Sequence, residues 1–118
     1  MSGGEGPRII DRAISHYQSK ELKRIEIEEW PDADGNPLVC FSTSFTLKDQ
    51  SRLQTLIEKQ SQADALAELL ILKLVDEKGD KIFNIGDKHA LRESVDANVV
   101  ARIANQIMET NADSLEGN

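Results

Sequence analysis

Ala63-Asp64-Ala65-Leu66-Ala67-Glu68-Leu69-Leu70-Ile71-Leu72-Lys73-Leu74-Val75 is the stretch on which the fold turns. At about 100° per residue, Leu66, Leu69, Leu70, Ile71, Leu72, Leu74 and Val75 point all round a helix instead of along one stripe. In a chain of 118 residues, such a helix must be central or must bury one face in another molecule. Ser61, with Asp64 three residues later, supplies its N-terminal cap. Its far end is ambiguous, because Leu70 to Val75 reads equally as a short apolar strand.

Working back from this stretch, Leu53, Leu56 and Ile57 form an i, i+3, i+4 stripe on a polar helix that ends near Gln60. Thr46 and Asp49 resemble a capping box at its start. Leu38 to Phe45 is β-branched and aromatic enough for a strand. Asp32-Ala33-Asp34-Gly35-Asn36-Pro37 before it is a dense turn signal. Leu22, Ile25 and Ile27 approach a period of two, closed by Trp30-Pro31, so the spacing predicts a hairpin over 22–45. A lone hairpin is marginal in water, and this one must pack on the helices or on another chain. Pro7 sits at a helix-initiating position, ahead of Ile9, Ile10, Ala13, Ile14 and Tyr17 at helical spacing.

Working forward, Asp76-Glu77-Lys78-Gly79-Asp80 is a tight turn, and Ile82 and Phe83 return to the core. Asp87 reads as the N-cap of a short helix through Leu91. Ser94 reads as the cap of a final helix with Val95, Val99, Ile103 and Ile107 on one stripe. No internal repeat is visible. The expected fold is mainly α: a compact helical domain of four to five helices with one small β-hairpin in the N-terminal third. Residues 1–6 are expected to be disordered, 7–110 to form the single domain, and 111–118 to be a polar tail.

The net charge of −7 disfavours phosphate backbones and anionic lipid, so neither nucleic acid nor membrane is an expected partner. With Cys40 as the only cysteine, no intrachain disulfide or cysteine cluster can form. The start, Met1 to Pro7, lacks the basic and apolar regions of a signal peptide. The longest apolar run, Leu69 to Leu72, is far too short to span a bilayer. These features predict a soluble intracellular protein.

No catalytic set emerges. His16 and His89 lie in different elements, without metal-ligand spacing, and are read as surface or packing residues. A calcium-loop reading of Asp76 to Asp80 fails. Lys78 stands where a carboxylate should bind, the glycine comes too early, and the twelfth position is Asp87 instead of a bidentate Glu. Asp113-Ser114-Leu115 matches the phosphopantetheine signature of acyl carrier proteins, but too few residues follow Ser114 to build the helices that family needs. Gly3-Gly4-Glu5-Gly6 lacks the strand and Lys-Ser/Thr of a nucleotide loop. Carboxylate pairs such as Glu28/Glu29 are what so acidic a chain supplies by chance. The expectation is a non-enzymatic protein without cofactor or metal. Trp30 is either a hairpin-packing residue or a binding anchor.

From Trp30 to the C-terminus, the order of features resembles the tail assembly chaperones of long-tailed phages, the lambda and HK97 family. The resemblance runs through the hairpin around Trp30 and Gly35, the polar helix from Leu47 and the apolar helix Ala63 to Val75. It continues through Val75-Asp76-Glu77-Lys78-Gly79, Phe83, Asp87 with Leu91, the Val99-Val100 to Ile107 helix, and Asn111 to Glu116. It covers roughly three quarters of the chain as a pattern of spacing, and residues 1–29 add little to it. The resemblance implies a mostly helical protein in the cytoplasm of a bacterial host. There it would coat the tape measure protein and keep it soluble before the tail tube polymerises. It also implies that a longer, frameshifted form recruits the tail tube protein. Trp30, Leu66, Leu69, Leu72 and the off-stripe Met108 are the candidates for partner contact or weak homo-oligomer formation. For Leu66 to Val75 the competing reading is ordinary core. A rival function is a small acidic regulator of a host or phage protein, but Lys and Arg are interspersed among the acids, which counts against a continuous charge-mimicking face.

Overall fold

The structure, a computed structural model, describes residues 8–116, with side chains described for residues 8–109. Five α-helices and a three-stranded antiparallel sheet follow one another as α1 (Ile9–Ser19), β1 (Lys23–Ile27), β2 (Leu38–Ser42), α2 (Leu47–Lys59), α3 (Gln62–Lys73), β3 (Leu74–Val75), α4 (Lys88–Glu93) and α5 (Ala97–Glu116). A 3₁₀ turn, Ile85–Asp87, leads into α4. The fold is therefore mainly α with a small β element, as expected from the sequence. The expected disordered N-terminus lies outside the described residues, as does the role of Pro7. So do the side chains of the expected polar tail, although α5 itself runs to Glu116.

The all-round apolar helix is the centre of the molecule. In α3, Ala65, Ala67, Leu69, Leu70 and Ile71 are buried, and so are the polar Glu68 and Lys73. Packing against α2, α4 and α5 covers three sides of it. Both readings of the far end hold in part. The helix stops at Lys73, and Leu74–Val75 then pairs with β2 in the register Phe41↔Val75 and Ser42↔Leu74. The junction has no local signal, because β3 forms through pairing with β2 on one side and with Lys81 and Ile82 on the other.

The period of two in β1 places Ile25 and Ile27 in the core, with Arg24 and Glu26 facing water. β1 pairs with β2 from Lys23↔Ser42 to Ile27↔Leu38, and β2 ends at Ser42, three residues short of the Phe45 expected from composition. The apolar face of the hairpin rests on the stripe of α5, where Val99, Ile103 and Ile107 are buried. At the edges, Lys23 Nζ reaches Glu109 at 3.0 Å, and Arg102 grips Glu29 through two bonds of 2.6 and 2.7 Å.

Caps read from local spacing fall on the predicted residues at two helices. Asp49 N–H donates to Thr46 Oγ1 (3.1 Å) while Thr46 N–H donates to the Asp49 carboxylate (2.9 Å). Asp64 N–H donates to Ser61 Oγ at 3.0 Å. One other cap is corrected. The final helix is opened by Asp96, whose carboxylate accepts from Asn98 N–H and Val99 N–H; Ser94 closes α4 instead. Val95, just before that cap, lines the same hollow as Val100 and so staples the helix start. At the short helix Asp87 is the N-cap residue, as expected, but it makes no side-chain cap bond: its carboxylate accepts from Asn84 N–H, and Asn84 accepts from Gly86 N–H to open the 3₁₀ turn before it. The helix it precedes runs to Glu93, two residues past Leu91.

An internal likeness that the sequence reading missed lies in two turns. In each, an Asp carboxylate (Asp32, Asp76) accepts from the N–H groups two and four residues on. The Asp main chain bonds residue i+4, and a glycine at i+3 takes a left-handed φ of 84° or 88°. In the second turn the carboxylate expected of a calcium loop is thus spent on its own backbone.

A candidate partner-binding groove

Three helices leave a furrow between them. On α2, Leu56 points into the core, and Leu53 and Ile57 flank it one turn apart, with Ile57 55% exposed. On α3, Gln62, Ala65, Leu66 and Leu69 share one face, and the small Ala65 keeps the floor low. On α5, Met108 sits one residue off the buried stripe and closes the third side. The space enclosed is about 330 Å³. Gln62 is the one polar lining residue, and none of the lining side chains titrates. What this furrow can do chemically is bury apolar side chains brought by something else.

A second, smaller hollow of about 100 Å³ lies across Leu66, between Ala67, Leu91, Val95 and Val100. Leu66 lines both and is the ridge between them. Of the five candidate contact residues, the structure brings together Leu66, Leu69 and Met108 at the furrow. Leu69 is buried as its floor, and the other two are half-buried. Trp30 does not join them: it is half-buried, with its ring meeting Phe83 edge-on at 6.1 Å and 88°. Leu72 is half-buried in the last turn of α3 and lines neither hollow. Leu53 and Ile57 were read from the sequence only as a helix stripe. Their signal was the excess of that stripe over what a single buried Leu56 needs.

The furrow is stiffened by two charged clusters that the sequence did not reveal. Glu68, on α3, accepts from Arg52 at 2.8 and 3.1 Å and from Lys88 at 2.7 Å, tying α2 and α4 to the central helix. Burial pushes the Glu68 carboxyl up, but the bonds from Lys88 and Arg52 more than reverse this and hold it below its ordinary value. Asp64 joins the cluster through Lys88 (3.6 Å) and Arg92 (3.4 Å), and its bond from Ser61 is the main cause of its lowered pKa. At the other end of α3, the buried Lys73 donates to Ser44 O (2.9 Å) and to Asp49 (2.7 Å), with its ammonium 5.1 Å from the Phe45 ring centre. Tyr17 OH donates to the same Ser44 carbonyl at 2.7 Å, pinning the end of α1.

Other sequence candidates stay apart. His16 and His89 are both exposed on separate helices. Cys40 is buried, which pushes its thiol up to about 11 and keeps it protonated at neutral pH. Ser114 lies near the end of α5 and not at a helix start. Among the described residues, no group of three or more His, Cys, Asp or Glu is placed to hold a metal ion. Among them, too, no helix is long and apolar enough to cross a membrane.

No protein-family model matches the chain, and no curated protein matches it in sequence. Among solved structures, the chain is similar to the bacteriophage HK97 tail assembly chaperone, with a TM-score of 0.53. The likeness covers 85% of this chain and 94% of that one at 14% sequence identity, so it is a likeness of fold.

Proposed function

We propose that this chain is a phage or prophage tail assembly chaperone. It binds the tape measure protein in the cytoplasm of the bacterial host and keeps it soluble until the tail tube forms. The observation that carries this reading is the apolar furrow between α2, α3 and α5, left open on an acidic domain whose fold resembles the HK97 chaperone. A long helical partner presents apolar side chains at i, i+3, i+4 and i+7, and a furrow lined by Leu53, Ile57, Leu66, Leu69 and Met108 offers such a row an apolar seat. Each site then contributes modest affinity, while many copies along one partner give strong overall coverage. A contact of that kind can be displaced when the tube subunits arrive. No chemistry is required of the site, and none of the lining residues offers any.

Co-expression with the tape measure protein of the same genome tests the reading. The tape measure should become soluble and co-elute with several copies of the chain. Ile57→Lys places a charge in the furrow at an exposed position, so the fold should survive it. It forfeits the burial of one isoleucine, about 1.5–3 kcal/mol, so co-elution should fall tenfold or more. A tape measure that stays insoluble while the chain elutes alone sinks the proposal.

A further inference from the structure

Helix α1 is amphipathic but has no buried residue. Ile9, Ile10 and Ile14 are 72%, 50% and 47% exposed, and the helix is anchored near its far end, where Tyr17 OH donates to Ser44 O. An apolar helix face left in water calls for cover. The α2–α3–α5 furrow is open in the same chain, and no α1 residue lines it. We infer that α1 is a strap hinged at Tyr17, and that it closes over the furrow of its own chain.

Orientation favours this closure. At about 100° per residue, Ile10, Ala13 and Ile14 fall within about 60° of Tyr17 around α1. The side chain that already faces the body of the protein therefore lies within the apolar stripe, and a swing about Tyr17 needs no roll of the helix. Asp11, Arg12 and Ser15 fall on the far side and stay in water when the strap is closed. Residues 8–20 carry Arg8, Arg12 and Lys20 against Asp11, a net +2 on a chain of −7, so the remaining residues sum to −9 and attract the strap.

Spacing matches as well. Lys73 donates both to Ser44 O and to Asp49, so the hinge stands at the start of α2. Going back along α1 from Tyr17, Ile14 and Ile10 come three and seven residues away, about 4.5 and 10.5 Å along the axis. Going forward along α2 from Asp49, Leu53 and Ile57 come four and eight residues away, about 6 and 12 Å. Laid antiparallel to α2, the strap thus sets Ile14 across from Leu53 and Ile10 across from Ile57, the residues that line the furrow on its α2 side. Because both surfaces belong to one chain, closure is independent of concentration. The inference goes beyond the tape measure reading and does not rest on it, and its test contains no tape measure protein.

Hydrogen exchange of the full chain, diluted until sedimentation shows a monomer, reads the closure. An exposed helix of 11 residues is marginal in water and protects its amides little. The closed strap should instead slow exchange of the α1 amides at least about tenfold. Ile57→Lys, on another helix, should remove that protection while circular dichroism and the thermal melt stay those of the parent. Amides of α1 that exchange freely in the parent, or that stay protected in Ile57→Lys, overturn the inference. A cysteine pair, Ile10→Cys with Ile57→Cys, tests the register independently, since the native Cys40 is buried. Mild oxidation should join it within one chain at least about tenfold faster than Ile10→Cys with Ile85→Cys, which pairs the strap with another exposed position. Equal rates, or cross-links between chains only, overturn the inference and point to an arm that stays free or reaches a second copy.

Discussion

Leu70→Ala is expected to lower the free energy of unfolding by about 3–4 kcal/mol and the thermal midpoint by roughly 10–15 °C. Leu70 is fully buried on the helix that α2, α4 and α5 enclose. Its removal leaves a void whose walls are held from several directions. Thr46 and Ser61 cap α2 and α3, Glu68 binds α2 and α4 to α3, and Lys73 fixes the end of α3 to the start of α2. Walls tied in this way relax little, which places the cost toward the upper part of the large-to-small range. Ile57→Ala, at a 55% exposed position one helix away, should cost less than about 1 kcal/mol. Urea unfolding with an unchanged m-value is the measurement. Equal costs for the two variants would mean that α3 is not the centre of the core.

The same contrast explains what the sequence could disclose. The centrality of α3 was legible because its leucines leave no polar stripe, and a domain this small has one place for such a helix. Caps were legible at Thr46 and Ser61, where an Asp three residues on (Asp49, Asp64) marks the cap by its spacing. One was misassigned where Ser94 and Asp96 stood two positions apart, because the packing of Val95 beside Val100 chooses between them. The two Asp–Gly turns share geometry but only Asp and Gly in sequence, too sparse a pattern to register as a repeat. The furrow was half legible: Met108 stands out by leaving the α5 stripe, but its meeting with Leu53 and Ile57 is made by the packing of α5 against α3. Burial of Glu68 and Lys73 was hidden altogether. Their partners are 16, 20, 24 and 29 residues away along the chain, and on a helix wheel each looks like a solvated charge.

Removing both cations from Glu68, by Arg52→Ala with Lys88→Ala, should cost about 3–5 kcal/mol, the penalty for leaving a buried carboxylate unpaired. The cluster is asymmetric. Glu68 has a side chain 7% exposed, whereas Arg52 and Lys88 are 46% and 23% exposed and can turn to water when the carboxylate is taken away. Glu68→Gln should therefore be the milder change, although it removes the same salt bridges. The pH dependence separates this account from simple loss of packing. In the parent, Glu68, Asp49 and Asp64 all lie below their ordinary values, and Glu29, gripped by Arg102, falls to about 2. Their stabilisation is complete above the ordinary carboxylate values of 3.8 to 4.5, and it is lost as pH falls from there toward about 2. In the double variant, burial acts on Glu68 unopposed and raises its pKa above the ordinary value, so the sign of its contribution reverses. Below pH 4.5 that term vanishes, and it grows as a penalty while pH rises through the new value. The variant should thus gain stability on going from pH 7 to pH 5, where the parent is nearly flat. A variant as flat as its parent over that range, and less than about 1 kcal/mol weaker, would mean that Glu68 reaches water and that the cluster is a surface ion pair.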